Sequence, residues 1–371
     1  MAAMKFLDLV PEYIRRFEPY YPSKPDRELM RLYGASRLHR LNNNENDLGP
    51  PAASRAAIEA MESVRAAIYP NGDCFDLRHA LAQRFGKTPE QYLVGNGSCE
   101  VIGSVIRAFC QAGDNIVTAD KTFAVYEWVA ELSGFEPRLV PLRNYGFDPQ
   151  AMLDAMDRRT KVVFVCNPNN PTGTYWDRAT LHAFLDQAAS RAMVVIDEAY
   201  FEYVDHPDYP NGMELLERYP SCIVFRTFSK MYGLAALRVG YLAASAAVVD
   251  IIRRTQIVYS VNGPGQVAAE AALRDDGEHI AATRRQVAEA KGILTGLCHE
   301  LDLPFVSGEG NFFMIKTPIS DTLLYRKLMA RGVMIRTMTG FRFPGWIRVS
   351  TARRAVMEDF CEALRGVLRK V

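Results

Sequence analysis

The chain has 371 residues, 49% of them hydrophobic and 23% charged, with a formal net charge of +1. Its length passes the roughly 250–300 residues at which a single core stops growing, so two domains are expected, and its near-neutral charge gives no general pull toward nucleic acid or an anionic membrane. Seven scattered cysteines without a CxxC pair argue against a disulfide framework or a structural zinc, and read as the reduced thiols of a cytoplasmic protein.

Residues 1–45 are rich in proline, tyrosine and charge and read as an arm that joins a small domain. Asp8, Glu12, Arg15 and Arg16 interrupt its apolar stretches, which excludes a signal peptide or membrane span there. From about residue 90, short apolar runs alternate with helical ones. The strand candidates are QYLVGN, DNIVTA, EPRLVPL, KVVFVCN, AMVVIDEAY, CIVFRTFS and VGYLAAS, with helical stretches such as VIGSVIRAFCQAG and RATLHAFLDQAASR between them. This alternation predicts an α/β domain over residues 46–255 with a mainly parallel sheet between helices. The unbroken VVFV and MVVI runs suggest strands covered on both faces. Long helices followed by a few strands then predict a smaller α+β domain over residues 256–371.

In a parallel sheet, functional groups gather at the carboxyl ends of the strands. The segments there are GNGSCE (95–100), NPNNPTG (167–173), DEAY (197–200) and TFSK (227–230), all polar or glycine-rich. A pyridine cofactor that stabilises a carbanion needs a carboxylate at its ring nitrogen, donors at its phenolic oxygen, an anion site for its phosphate and an amine to hold it. Asp197 follows the apolar run AMVVI, where a lone buried carboxylate is costly; a protonated pyridine nitrogen would pair with it. Asn170 and Tyr200 supply donors for a phenolic oxygen. Gly97, Ser98 and Cys99 lie between a strand and a helix expected to begin near Val101, and backbone N–H groups at such a terminus bind phosphate. Thr227, Ser229 and Arg238 add donors for the same anion, Phe123 would cover one ring face, and Lys230 is the amine. Each segment alone is a common turn; their order at successive strand ends carries the reading.

These residues make the chain resemble a class I/II (fold type I) pyridoxal 5′-phosphate-dependent aminotransferase, and within that group it is similar to the histidinol-phosphate aminotransferases. FEPYYPSKP, LNNNENDLGP, CNPNNPTG, DEAYFEY, RTFSKMYGLAALRVGY, GNFFMIK and GWIRVST carry the resemblance over nearly the whole chain. It implies that Lys230 holds the cofactor through a carbon–nitrogen double bond and, once displaced by the substrate amine, moves a proton as a base. It implies that Asp197 pairs with the pyridine nitrogen, that Asn170 and Tyr200 hold the phenolic oxygen, and that Thr227, Ser229, Arg238 and the Ser98–Cys99 backbone hold the phosphate. Tyr69 matches a tyrosine that reaches the cofactor phosphate of the partner subunit, so a homodimer with shared sites is expected. Tyr20, Asn46, Arg336 and Arg348 match substrate-binding positions, Arg348 as the carboxylate-binding arginine.

The expected reaction converts histidinol phosphate and 2-oxoglutarate to imidazole acetol phosphate and glutamate. The pattern departs from the family at Asp47 and Lys121, where proline is usual, at Cys99, where an acidic residue is usual, and at TMTGF after Arg336. These departures leave open an aromatic or other amino-acid aminotransferase, or a decarboxylase acting on a phosphorylated amino acid. No histidine spacing fits a metal, and no GxGxxG or GxxxxGK[ST] loop points to a nucleotide.

Overall fold

The computed structural model describes residues 6–18, 24–62, 66–274 and 276–369. Twelve strands lie among them. In chain order they are β1 (His39–Leu41), β2 (Tyr92–Asn96), β3 (Asn115–Ala119), β4 (Glu136–Val140), β5 (Thr160–Cys166), β6 (Met193–Asp197), β7 (Cys222–Thr227), β8 (Val239–Ala244), β9 (Phe305–Val306), β10 (Phe312–Lys316), β11 (Val333–Thr337) and β12 (Trp346–Ser350). The seven strands expected between residues 90 and 245 all form, and they make one sheet in the order β2-β8-β7-β6-β5-β3-β4.

Only β8 runs against its neighbours in that sheet; β3 with β4, β3 with β5, β5 with β6 and β6 with β7 are parallel. Because β2 and β7 are both antiparallel to β8, they point the same way. The carboxyl ends of β2, β3, β5, β6 and β7 therefore share one edge, and β8 begins at that edge. Val194, Val195 and Ile196 of β6 and Val162 to Phe164 of β5 are fully buried, as expected for strands covered by helices on both faces.

The second sheet has the order β1-β11-β12-β10-β9. Its side chains alternate with the two-residue period of a strand. Phe313 and Ile315, Val333 and Ile335, and Ile347 and Val349 enter one core beneath the helices Asp321–Met329 and Arg354–Leu368. The opposite face carries Arg336, Arg348 and Ser350. β1, from the arm, adds parallel to β11. The helix Gly263–Arg274 lies on the far side of the sequence-based divide at 255/256, yet Ala268, Ala269, Ala272 and Leu273 belong to the larger core. Its small alanine face lets it pack closely on Ala52–Glu59, where Ser54 Oγ donates to Ala268 O at 2.8 Å. Among the described residues, no helix is long and apolar enough to cross a membrane.

Candidate active site

The shared strand edge gathers the predicted residues. Asp197 ends β6 and is buried, and its carboxylate accepts from Tyr126 Oη at 2.5 Å and from Ala199 N at 3.0 Å. Burial pushes its pKa up, and these two donors pull it back. Tyr126 was not singled out from the sequence. It lies one helical turn beyond Phe123, in Val125–Leu132, stacks on Phe164 at 4.6 Å and meets the edge of Phe123 at 5.6 Å.

Lys230 follows β7 and is half-buried; its Nζ donates to Asn43 O at 2.8 Å. Burial, then the neighbouring Arg348 and Arg238 charges, lower its pKa to about 8, with Glu45 and Cys99 opposing. Tyr200, buried beyond β6, accepts from Asn44 Nδ2 at 2.9 Å, and burial raises its pKa to about 12. Asn170 is buried after β5, where its Oδ1 accepts from Arg348 Nη1.

The helix after β2 starts at Ser98, three residues earlier than expected, with Gly97 as its N-cap at φ 76° and no side-chain cap. Ser98 and Cys99 therefore stand in its first turn, where backbone N–H groups lack helical acceptors. The walls of this cradle leave no room for side chains. A Cβ on Gly97 would meet Arg238 Nη2 at 2.4 Å, and one on Gly240 would meet Ser98 N at 2.7 Å. Arg238 is held there by its left-handed backbone at φ 57° and by donation from Nη1 to Ala235 O at 3.0 Å. Thr227 Oγ1 accepts from Ser229 N at 3.1 Å, which folds the turn beside it.

The anion-binding candidates come from the other sheet. Arg336 and Arg348 are direct cross-strand partners on β11 and β12. Their guanidinium carbons lie 5.7 and 5.8 Å from the Phe341 ring centroid, and Arg348 is also 5.7 Å from Phe312. Arg348 is buried and donates from Nη2 to Asn42 O at 2.8 Å, while its Nε has no partner among the described residues. Burial lowers its pKa to about 10, with Tyr200 opposing and Arg336 adding to the fall. Neither arginine forms an ion pair among the described residues.

Asn46, in the loop after β1, has its own set of partners. Its amide donates to Met231 O at 2.7 Å and Thr283 Oγ1 at 3.2 Å, and its carbonyl accepts from Leu48 N, so it braces the loop. Tyr20 lies outside the described residues. Tyr69 is 80% exposed and stacks on Tyr259 at 4.9 Å. At the departures, Asp47, after β1, accepts from N at 2.9 Å and Nε at 2.7 Å of Arg353, after β12, and Lys121 pairs with Asp120 and sits 5.7 Å from the Phe343 ring.

Comparison with known proteins agrees with this geometry. The family model "Aminotransferase class I and II" matches residues 37–364. The chain belongs to that family. It is 39% identical over 359 residues to a histidinol-phosphate aminotransferase of Moorella thermoacetica, covering 96% of this chain and 92% of that one. It is also 39% identical to histidinol-phosphate aminotransferase 2 of Pseudomonas aeruginosa, covering 98% of each. The crystal structure of histidinol-phosphate aminotransferase from Sinorhizobium meliloti in complex with pyridoxal 5′-phosphate superposes with a TM-score of 0.86 at 26% identity, covering 97% and 98% of the two chains. The chain is thus a fold type I aminotransferase, and the family's cofactor is pyridoxal 5′-phosphate. Its residues fit that group: an uncapped helix terminus walled by two glycines and an arginine suits a phosphate, and a buried carboxylate with no cationic partner among the described residues suits a protonated ring nitrogen.

Proposed function

We propose that this aminotransferase uses histidinol phosphate as amino donor and 2-oxoglutarate as acceptor, with the cofactor held by Lys230. The bound cofactor supplies an electron sink for the charge left when a proton leaves the donor carbon. Asp197, kept in place by Tyr126 and Ala199, holds the ring nitrogen's proton. Asn170 and Tyr200 orient the phenolic oxygen. The first turn at Ser98 and Cys99, with Thr227, Ser229 and Arg238, binds the phosphate. Lys230, its pKa lowered to about 8, gives up its proton more readily than a free lysine and so can act both as the tethering amine and as the base.

The observation that carries the substrate reading is the paired Arg336 and Arg348. Two like charges directly opposite across strands repel, and neither forms an ion pair with a carboxylate among the described residues. A dianionic donor, or a dicarboxylate acceptor, supplies the missing charge, and guanidinium groups suit planar and phosphate anions. The rings of Phe312 and Phe341 beside the arginines favour a donor that carries a ring, which also suits the aromatic amino-acid reading.

A homodimer and a cytoplasmic location complete the reading. Tyr69 shares its exposed surface with Ile68, Ile257, Val258 and Tyr259, an apolar face suited to a second copy, from which Tyr69 would reach the partner's phosphate site. All seven cysteines are free thiols, in keeping with a reducing compartment.

A half-reaction panel tests the proposal. Histidinol phosphate, glutamate, phenylalanine and phosphothreonine are each added to purified protein while the cofactor spectrum is followed. Fast conversion to the aminated form by histidinol phosphate, reversed by 2-oxoglutarate, is the expected result. Preference for phenylalanine would transfer the assignment to the aromatic reading, and carbon dioxide release from phosphothreonine would overturn transamination.

A further inference from the structure

Three consecutive asparagines cross the cleft after β1, and each touches a different site residue. Asn42 O accepts from Arg348, Asn43 O accepts from Lys230, and Asn44 donates to Tyr200. Asn44 is the one whose side chain is engaged on both ends. It is almost fully buried, 1% exposed, in a left-handed backbone at φ 56°. Asn311 Nδ2 donates to its backbone carbonyl at 3.0 Å.

The direction of each hydrogen bond follows from counting protons. Ser350 Oγ accepts from Asn44 N at 2.8 Å and lies 3.2 Å from Asn44 Oδ1. A hydroxyl has one proton, and since Oδ1 can only accept, the Ser350 proton goes there. The other end of the amide, Nδ2, faces Tyr200 Oη at 2.9 Å and donates to it. Tyr200 has no acceptor among the described residues, and a lone pair is already engaged by Asn44. Its own proton must therefore point elsewhere, into the cleft.

We propose that Asn44 is a positioning residue that aims the Tyr200 hydroxyl proton at the cofactor's phenolic oxygen. This rests on the reading of Tyr200 as a donor to that oxygen. The relay runs from Ser350 of β12 through Asn44 to Tyr200, so the sheet that carries Arg348 sets the proton direction at the other sheet's edge. Without Asn44 the hydroxyl is free to rotate, and its donation is divided among orientations.

A donor at the phenolic oxygen withdraws charge from it and weakens its hold on the neighbouring proton of the cofactor–lysine nitrogen. Losing the donor therefore raises the pH at which the bound chromophore changes colour. The test is a spectrophotometric pH titration of cofactor-loaded protein, with circular dichroism and thermal melting as checks on folding. Asn44→Ala is expected to raise the midpoint by about half to one pH unit, in the same direction as Tyr200→Phe. The double variant should match Tyr200→Phe alone, because Asn44 acts through that hydroxyl. Ser350→Ala, which removes a single hydroxyl, should shift the midpoint the same way by less, and it carries the test if Asn44→Ala does not fold. A midpoint in the folded variants equal to that of the unmodified protein, or shifts that add in the double variant, overturns the inference. If the unmodified protein forms no chromophore with added pyridoxal 5′-phosphate, the functional reading itself falls.

Discussion

The two sheets meet at one cleft but build their halves of it differently. At the edge of the large sheet Asp197 is held by Tyr126 and Ala199, and Arg238 by Ala235, all from the same domain, whereas Lys230, Tyr200 and Asn170 meet Asn43, Asn44 and Arg348 of the arm and the small sheet. The face of the small sheet presents two arginines whose charges oppose each other across adjacent strands. The first half is complete before any substrate arrives, whereas the second remains electrostatically unfavourable until an anion enters. Local sequence thus fixes the surroundings of Asp197 and Arg238, while those of Lys230 and Tyr200, and the arginine face, depend on how the second sheet and the arm are placed.

The harshest challenge to the large-sheet half is Lys230→Ala. It should reduce turnover by about 10^4-fold or more, since tether and base are lost together. The measurement is steady-state transamination, with borohydride reduction and peptide mapping of the unmodified protein to locate the adduct. Normal multiple turnover by the variant would end the assignment. Asp197→Ala should cost about 10^2- to 10^4-fold, the range for stripping one partner from a buried charge pair. Its melting curve should stay cooperative, because Asp197 lies at a strand end and not within the core. Wild-type rates would show that no ring nitrogen depends on it.

The anion face is probed by Arg336→Gln. A hydrogen bond to a charged group is worth about 1.5–3 kcal/mol, so KM for histidinol phosphate should rise about 10- to 100-fold. KM for unphosphorylated histidinol should hardly move. Equal changes for both donors would remove Arg336 from phosphate recognition and weaken the contrast between the sheets.

The same contrast governs what the sequence reveals. All seven large-sheet strands and the polar segments after them are local patterns, so their positions can be read from apolar runs and turn residues. Tyr126 is harder to see: its helix face looks like ordinary core, and only its spacing from Phe123 gives a signal. The contacts of Asn42, Asn43 and Asn44 join residues some 150 to 300 positions away, which no local period can encode. The partners of Asn46, Met231 and Thr283, are likewise distant in sequence. Placing Gly263–Arg274 with the small domain was reasonable from helix continuity. A break near Asp276 and an alanine face that fits the large core decide otherwise.

The smallest expected effect lies where the two halves touch, at Lys230. Burial and the charges of Arg348 and Arg238 disfavour its ammonium form, so its pKa of about 8 lies below the 10.5 of a free lysine. Between those values the unfolded chain holds a proton that the native cofactor-free protein lacks, so stability rises with pH across that window, and the penalty is present in full below about pH 8. Stability of the cofactor-free protein, followed by urea unfolding from pH 7 to 10.5, should show this rise, and Lys230→Met should lack it. Competitive labelling with an amine reagent should give Lys230 a midpoint near 8. Arg348→Met removes one of the charges and should move that midpoint upward. If the midpoint stays put, Arg348 is too well screened to act on Lys230, and the small sheet contributes substrate binding without tuning the base.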